Sequence, residues 1–425
     1  MKRSIYIILA VFVVLGMLAA FGCSSGTPTT TTTPAPTASK APIPIAVIGV
    51  QSGPSEPLGE QEFLGAQLAV QQINNAGGVL GGRMLELHEY DEGYSPEIST
   101  GSYRQVVEAG VKFLVGPHDA TTAYAVIPLA KADNVIYWDC IAGTDAATVP
   151  GYYKGLFNSP TQEKQAVLAF CGWITKQGYK TVGCLALNGD FGQQEQAWID
   201  YYVAQHPDSW KRISQVFYDF GLTDVTAEVT KIEATNPDLI WMDVFSGAQA
   251  IPAVQRLQQL GYTGVIACDW TSLDDGQIAA QGGSIMNGVV GYTGFMPDPS
   301  IPQSMAFTNQ YVAYCQSLGL TRVPGDYACS AYEGVIAYSK AVQLAGTADD
   351  NNKVIDAIYG LANTTWITPR GIQFQMLPGG LELDPGVYIQ KCENGKVVIG
   401  DFFPLTKADF GPPYVPPGFK TLLEQ

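Results

Sequence analysis

From Ile45 onward, short unbroken apolar runs alternate with longer segments of helical spacing, and this alternation confines the chain to an open α/β architecture. Ile45–Val50 is continuously apolar between Pro44 and the turn Ser52-Gly53-Pro54, the pattern of a strand buried on both faces. Phe63, Ala66, Val70 and Ile73 then recur at helical spacing until Gly77-Gly78 ends the helix. Met84–Tyr90, Lys112–Val115 and Val135–Trp138 predict strands, separated by helices over Glu97–Ala109 and Thr121–Ala132. After Phe157 the pattern restarts. Ser159-Pro160-Thr161-Gln162 reads as a helix start, with Ser as cap and Pro at the first helical position. Thr181–Leu187, Leu239–Phe245, Gly264–Ala267 and Asn287–Tyr292 predict further strands, with one helix from Gln193 and another ending at Leu260-Gly261. The expectation is two Rossmann-like lobes with parallel central sheets and right-handed crossovers, binding ligand outside the carboxyl ends of the strands.

The amino terminus points outside the cytoplasm. Lys2 and Arg3 precede an uncharged apolar run from Ile5 to Gly22 that stops at Cys23, the order of an export signal. A thiol directly after a small residue reads as a lipoprotein signal over 1–22, with Cys23 as the lipidated residue. The run also reaches the minimum length of a membrane span, so an uncleaved anchor or plain secretion stays open. Residues 23–42 are Ser, Thr, Pro and Ala with no apolar periodicity, a composition suited to a flexible tether. The formal charge of −16 disfavours nucleic acid and acidic lipid headgroups as partners.

Seven further cysteines, Cys140, Cys171, Cys184, Cys268, Cys315, Cys329 and Cys392, follow no zinc spacing, and His88, His118 and His206 are scattered. Buried structural thiols are the expectation, with at most three bridges and one free thiol as the alternative. No Gly-x-Ser-x-Gly elbow is present, and Gly77–Gly82 lacks the Lys-Ser/Thr of a phosphate loop. Asp190-Phe191-Gly192 stands without the other kinase motifs. An enzyme is therefore not expected, nor a metal or cofactor.

The stretch Asn74-Asn75-Ala76-Gly77-Gly78-Val79-Leu80-Gly81-Gly82-Arg83-Met84-Leu85-Glu86-Leu87, followed by Tyr90-Asp91, resembles the branched-chain amino-acid (Leu/Ile/Val) binding proteins of bacterial ABC transporters. Ser52-Gly53-Pro54, Val115-Gly116-Pro117, Asp190-Phe191-Gly192, Ala331-Tyr332-Glu333-Gly334 and Pro369-Arg370-Gly371 match in the same order, so the resemblance runs from about residue 43 to 398. It implies a type I periplasmic-binding fold with three hinge crossings, near Phe157–Ser159, Tyr292–Phe295 and Thr365–Gly371. The lobes would be 43–157 plus 293–366, and 158–292 plus 367–425.

The resemblance also implies a function and a site. The chain would be an exported, membrane-anchored or periplasmic monomer that captures a small solute between closing lobes and delivers it to ABC permease subunits. A ligand-sensing module signalling to a separate partner is the alternative. The ligand carboxylate of such proteins rests on the loop matching Asp119-Ala120-Thr121, where Ala120 takes the place of the usual serine and Thr121 is the nearest hydroxyl. Thr121 read without the family is a helix cap. A second loop aligns Ile141-Ala142-Gly143, leaving Thr144 one position late. The aromatic wall falls on Phe191 and Phe245, for which a core role is the alternative. The acid for the ligand ammonium falls on Trp270, with Asp269 just before it, and Leu58 stands where an aromatic ring is common. A branched-chain amino acid is favoured, with another carboxylate, an amide or an aromatic compound open beside it.

Overall fold

The computed structural model describes residues 40–424, apart from 53–55, 141–142, 160–161, 220, 271 and 275. The leader and Cys23 lie outside the described residues. Among the described residues no helix is long and apolar enough to cross a membrane.

Five strands in succession, β1 (Ile43–Gly49), β2 (Leu85–Asp91), β3 (Phe113–Val115), β4 (Ile136–Asp139) and β5 (Leu156–Asn158), form the body of a first sheet. The next five, β6 (Thr181–Leu187), β7 (Lys211–Tyr218), β8 (Leu239–Met242), β9 (Val265–Cys268) and β10 (Val290–Thr293), form the body of a second. Both sets run parallel in the same order, β2-β1-β3-β4-β5 and β7-β6-β8-β9-β10. Interior strands are apolar throughout because helices cover both sides. In β1, Ile45, Ala46, Val47 and Ile48 are all fully buried. The edge strand β7 is different: Lys211, Ile213, Gln215 and Phe217 are exposed between less exposed neighbours, so its apolar residues never form the run that marked the others.

Each parallel central sheet, as expected, is completed at one edge by an antiparallel pair from the carboxyl-terminal part. β11 (Met376–Leu377) and β12 (Leu381–Glu382) extend the first sheet beyond β5, whereas β13 (Gly386–Glu393) and β14 (Lys396–Pro404) extend the second beyond β10. The last pair is a hairpin closed by Asn394-Gly395, both at positive φ (51° and 73°), the residues a two-residue turn of this kind favours.

The expected hinge positions are corrected in part. The third passage between sheets lies between Glu382 and Gly386, not at Thr365–Gly371, because β11 and β12 follow that stretch and still belong to the first sheet. Arg370 is tied to the helix Asp326–Ala345: its buried guanidinium bonds Asp326 Oδ1 (2.6 Å), Glu333 Oε2 (3.0 Å) and Ser330 Oγ (3.1 Å). The tail after β14 then returns to the first sheet's layer. Leu422 N–H donates to Ala146 C=O at 2.8 Å, and Tyr414 and Leu422 pack on that core. The helix expected from Ser159 starts later, at Glu163 (Glu163–Gln177), with Gln162 at its cap. Ser159 N–H donates to Asp139 C=O at 3.0 Å and so continues the strand instead. All seven cysteines from Cys140 to Cys392 are buried and unbridged.

Arg370 is also linked, through Asp326, to the second crossing. Asp326 accepts from Gly294 N–H at the second crossing (3.0 Å), and its own N–H donates to Asp274 Oδ2 (2.8 Å) beyond β9. Removing one partner of such a buried pair strands the other charges without water. Arg370→Met should therefore lower the unfolding free energy by about 3–5 kcal/mol in urea titration. A loss below about 0.5 kcal/mol would show that the network does not hold the second crossing.

Candidate ligand-binding site

Strand order reverses between β1 and β3, and again between β6 and β8, so the loops leaving these strands splay apart at their carboxyl ends. The loops after β1, β3 and β4 lead to Leu58, to Asp119, Ala120 and Thr121, and to Gly143 and Thr144. Those after β6, β8 and β9 lead to Phe191, to Phe245, and to Asp269 and Trp270. The fold thus gathers the residues singled out in the sequence at two sets of strand ends. Ile141 and Ala142 lie outside the described residues.

The first set of loops and its helix touch the helix that follows β6. Trp198 Nε1 donates to Asp145 Oδ2 at 2.8 Å, and Tyr124 Oη lies 3.4 Å from the side-chain amide of Gln194. A Cβ placed on Gly143 would stand 3.0 Å from Phe191 Cδ2 and 3.2 Å from Glu163 Oε2, so only glycine, which also sits at φ +71°, fits this approach. Farther along the seam, a cavity of about 290 Å³ opens between Leu58 on one side and Phe245, Ser246 and Ser272 on the other. That is near the lower end of ligand pockets, about 300 Å³, and suits a small solute.

On the first side, Gly116 (φ +80°) turns the chain out of β3 where a Cβ would meet Ile48 C=O at 2.1 Å. The turn delivers His118 and Asp119 to the start of the helix Ala120–Ala132. His118 is buried between acids and rings. Its Nδ1 lies 3.2 Å from Glu62 Oε1, Tyr327 stacks on it at 4.4 Å, and Tyr94 meets it edge-on at 6.2 Å. Burial opposes the charged imidazole, yet Glu62, Glu92 and Asp119 together hold its pKa above the ordinary value. Burial likewise pushes Glu92 up to about 8, against the pull of His118.

Several donors at this helix start are already occupied. Glu92 Oε2 accepts from His118 N–H (2.7 Å), Asp119 N–H (3.4 Å) and Thr122 Oγ1 (3.1 Å), while Asp119 Oδ1 accepts from Thr121 N–H (2.9 Å). Asp119, not Thr121, is the cap; Thr121 is exposed and Ala120 is buried. Thr144 is fully buried and directs its hydroxyl to Asp139 and Asn158 within its own lobe, away from the opposing loops.

On the second side, Phe191 lies 6.5 Å from Trp270 and 6.2 Å from Phe245, a continuous aromatic surface. Asp269 does not stand in that surface. It is fully buried, with Oδ1 accepting from Tyr292 Oη at 2.6 Å beside Glu195. The residue the sequence reading missed is Glu163, the first residue of the helix after the first crossing. Its side chain is fully buried, and neither carboxylate oxygen has a hydrogen-bond partner among the described residues. Burial, reinforced by Asp145, Glu195, Asp269 and Asp243, raises its pKa well above the usual carboxylate range. An acid at the head of a helix that starts at a lobe crossing was the available signal. Among the described residues no group of three or more His, Cys, Asp or Glu is arranged to hold a metal ion.

A family model described as periplasmic binding protein matches residues 42–410. The Leu/Ile/Val-binding protein of Escherichia coli K12 is 30% identical over 110 residues, which are 26% of this chain and span only 30% of that protein's length. Leu/Ile/Val-binding protein homolog 3 of Brucella melitensis is 24% identical over 362 residues, 84% of this chain and 93% of that protein. Among solved structures, a solute binding protein of an ABC transporter from R. palustris in complex with benzoate superposes with a TM-score of 0.76 at 18% identity, over 89% of this chain and all of that one. The branched-chain amino acid transporter substrate binding protein of Streptococcus pneumoniae, in complex with isoleucine, gives 0.74 at 20% identity, over 86% of this chain and all of that one. With two sheets of repeated strand order, loops facing across their carboxyl ends and a family match over nearly the whole described chain, this protein belongs to the periplasmic binding protein family.

Proposed function

We propose that this chain is the extracytoplasmic solute-binding component of an ABC importer, which captures a small organic solute between two closing lobes and hands it to the membrane permease. The observation that carries this reading is the seam itself. The loop after β4 meets the helix Asp190–Gln205 after β6 there, with Gly143 against Phe191 and Trp198 bonded to Asp145. Contacts of this kind exist only while the lobes are together, so a solute seated between them favours the closed state by its differential contacts. Leu58, Phe191, Phe245 and Trp270 would supply the apolar wall. Transport chemistry would belong to the partner ATPase, and the chain would act without catalysis of its own.

The relatives bring branched-chain amino acids into consideration and one structural neighbour brings benzoate, so both belong in a screen with amides and amines. A ligand at 100 times its dissociation constant adds about 2.7 kcal/mol to the folded state, readily seen as a shift in melting temperature. For a ligand found this way, small-angle scattering should give a smaller radius of gyration at saturation than without ligand. An unchanged scattering profile at saturation would count against hinge closure.

The proposal extends to the membrane. Lipid on Cys23 would make it the mature amino terminus and leave the Ser/Thr/Pro tract as the tether that holds the lobes off the bilayer. Mass spectrometry of the membrane fraction should find a diacylglyceryl cysteine as the first residue. Recovery of an intact Met1 terminus would defeat the anchor.

A further inference from the structure

A helix amino terminus is ordinarily the natural seat of an anion, because its first N–H groups are unpaired and the helix dipole favours negative charge there. At the helix Ala120–Ala132 that seat is partly filled from within. The carboxylates of Glu92 and Asp119 take His118 N–H, Asp119 N–H, Thr121 N–H and the Thr122 hydroxyl. Ala120 offers no hydroxyl to compete with them. A ligand carboxylate placed here would meet two carboxyl groups and find the N–H groups of His118, Asp119 and Thr121 taken.

Across the seam, Glu163 presents the opposite requirement. It comes within 3.2 Å of a Cβ position on Gly143 in the facing loop, next to the ring of Phe191. Its two oxygens have no partner among the described residues, and the charged groups acting on it most strongly are all acids: Asp145, Glu195, Asp269 and Asp243. The neighbouring cation Lys164 is engaged elsewhere, bonded to Gly411 C=O at 2.5 Å and lying over the Trp198 ring. A fully buried carboxyl group without a hydrogen-bond partner is costly unless something arrives to pair with it. An ammonium or amidinium group supplies both the charge and the N–H donors, and the adjoining aromatic rings favour a cation as well.

We infer that the cleft holds the positively charged end of its ligand at Glu163 and has no seat for a free carboxylate at the helix Ala120–Ala132, so that the ligand class is a small organic cation with an apolar body. This rests on the solute-capture reading and narrows it. Phe191, Phe245 and Trp270 form the surface for the apolar body.

Calorimetry with leucine, leucinamide and 4-methylpentanoate separates the charges on one carbon skeleton, and benzylamine against benzoate repeats the comparison on a ring. Leucinamide or benzylamine should bind at least tenfold more tightly than the carboxylate of the same skeleton. Glu163→Gln, which keeps shape and removes the group's ability to ionise against a bound cation, should weaken the amine roughly ten- to a hundredfold, as expected for a charge-assisted hydrogen bond. Because it removes an unpaired buried carboxyl, that variant should melt no lower than the wild type without ligand. The wild-type series decides the charge preference even if the variant fails to fold. Tighter binding of leucine, 4-methylpentanoate or benzoate would overturn the cation inference and leave solute capture standing. Equal binding of the amine by wild type and Glu163→Gln would overturn the role of Glu163. Failure of every member of the series would overturn the cation inference, and failure of the wider screen as well would overturn solute capture.

Discussion

The reversal of strand order at β1/β3 and β6/β8 is the constraint on which the rest of this molecule depends. A parallel sheet whose crossovers all went one way would close over its own strand ends. Reversal leaves a crevice there, and the duplicated order β2-β1-β3-β4-β5 and β7-β6-β8-β9-β10 provides two. Glycines at the exits, Gly116 and Gly143, let the loops pass where a side chain would collide with Ile48 or Phe191. Aromatic rings and acids that are far apart in the chain are thereby brought to one seam.

The electrostatics of that seam are one-sided. Glu62, Glu92, Asp145, Glu163, Glu195, Asp243 and Asp269 are all buried, and burial raises the pKa of each. Some are satisfied locally: Glu92 by amides of the Gly116–Thr122 turn, Asp145 by Trp198, and Asp269 by Tyr292. Glu163 differs from the other six in that both of its oxygens are without a hydrogen-bond partner among the described residues. Elsewhere in the interior the same difficulty is met by a permanent cation. Arg370 lies between Asp326 and Glu333 and neutralises a cluster that would otherwise repel itself.

Contact across the seam and connection between the sheets fall to different parts of the chain. The seam joins the Trp198–Asp145 hydrogen bond to the close approach of Gly143 and Phe191. The second crossing is linked to the buried network around Arg370, which couples the helix Asp326–Ala345 to Gly294 and to Asp274. The tail adds a further link, leaving β14 of the second sheet and bonding back to Ala146 of the first lobe, in the loop that also carries Asp145.

Local sequence determined most of the parallel body. Unbroken apolar runs marked β1, β6 and β8 to within a few residues, because a strand buried on both faces has no polar alternation to obscure it. The family resemblance, not the pattern, singled out Leu58, Asp119, Phe191, Phe245 and Trp270, and the fold puts them beyond the carboxyl ends of β1, β3, β6, β8 and β9. The edge strand β7 escaped because its residues alternate, and the third crossing was misplaced because nothing local distinguishes Pro369-Arg370-Gly371 from a hinge. Only the tertiary structure decided that Arg370 is held by acids more than 35 positions earlier in the chain. It alone decided that Asp269 turns to Tyr292, that Asp119 caps a helix, and that Glu163 lies unpaired opposite Gly143. The reason is physical: strand and helix patterns record burial, which neighbours along the chain share, whereas a side chain's partner is set by residues that folding brings from elsewhere.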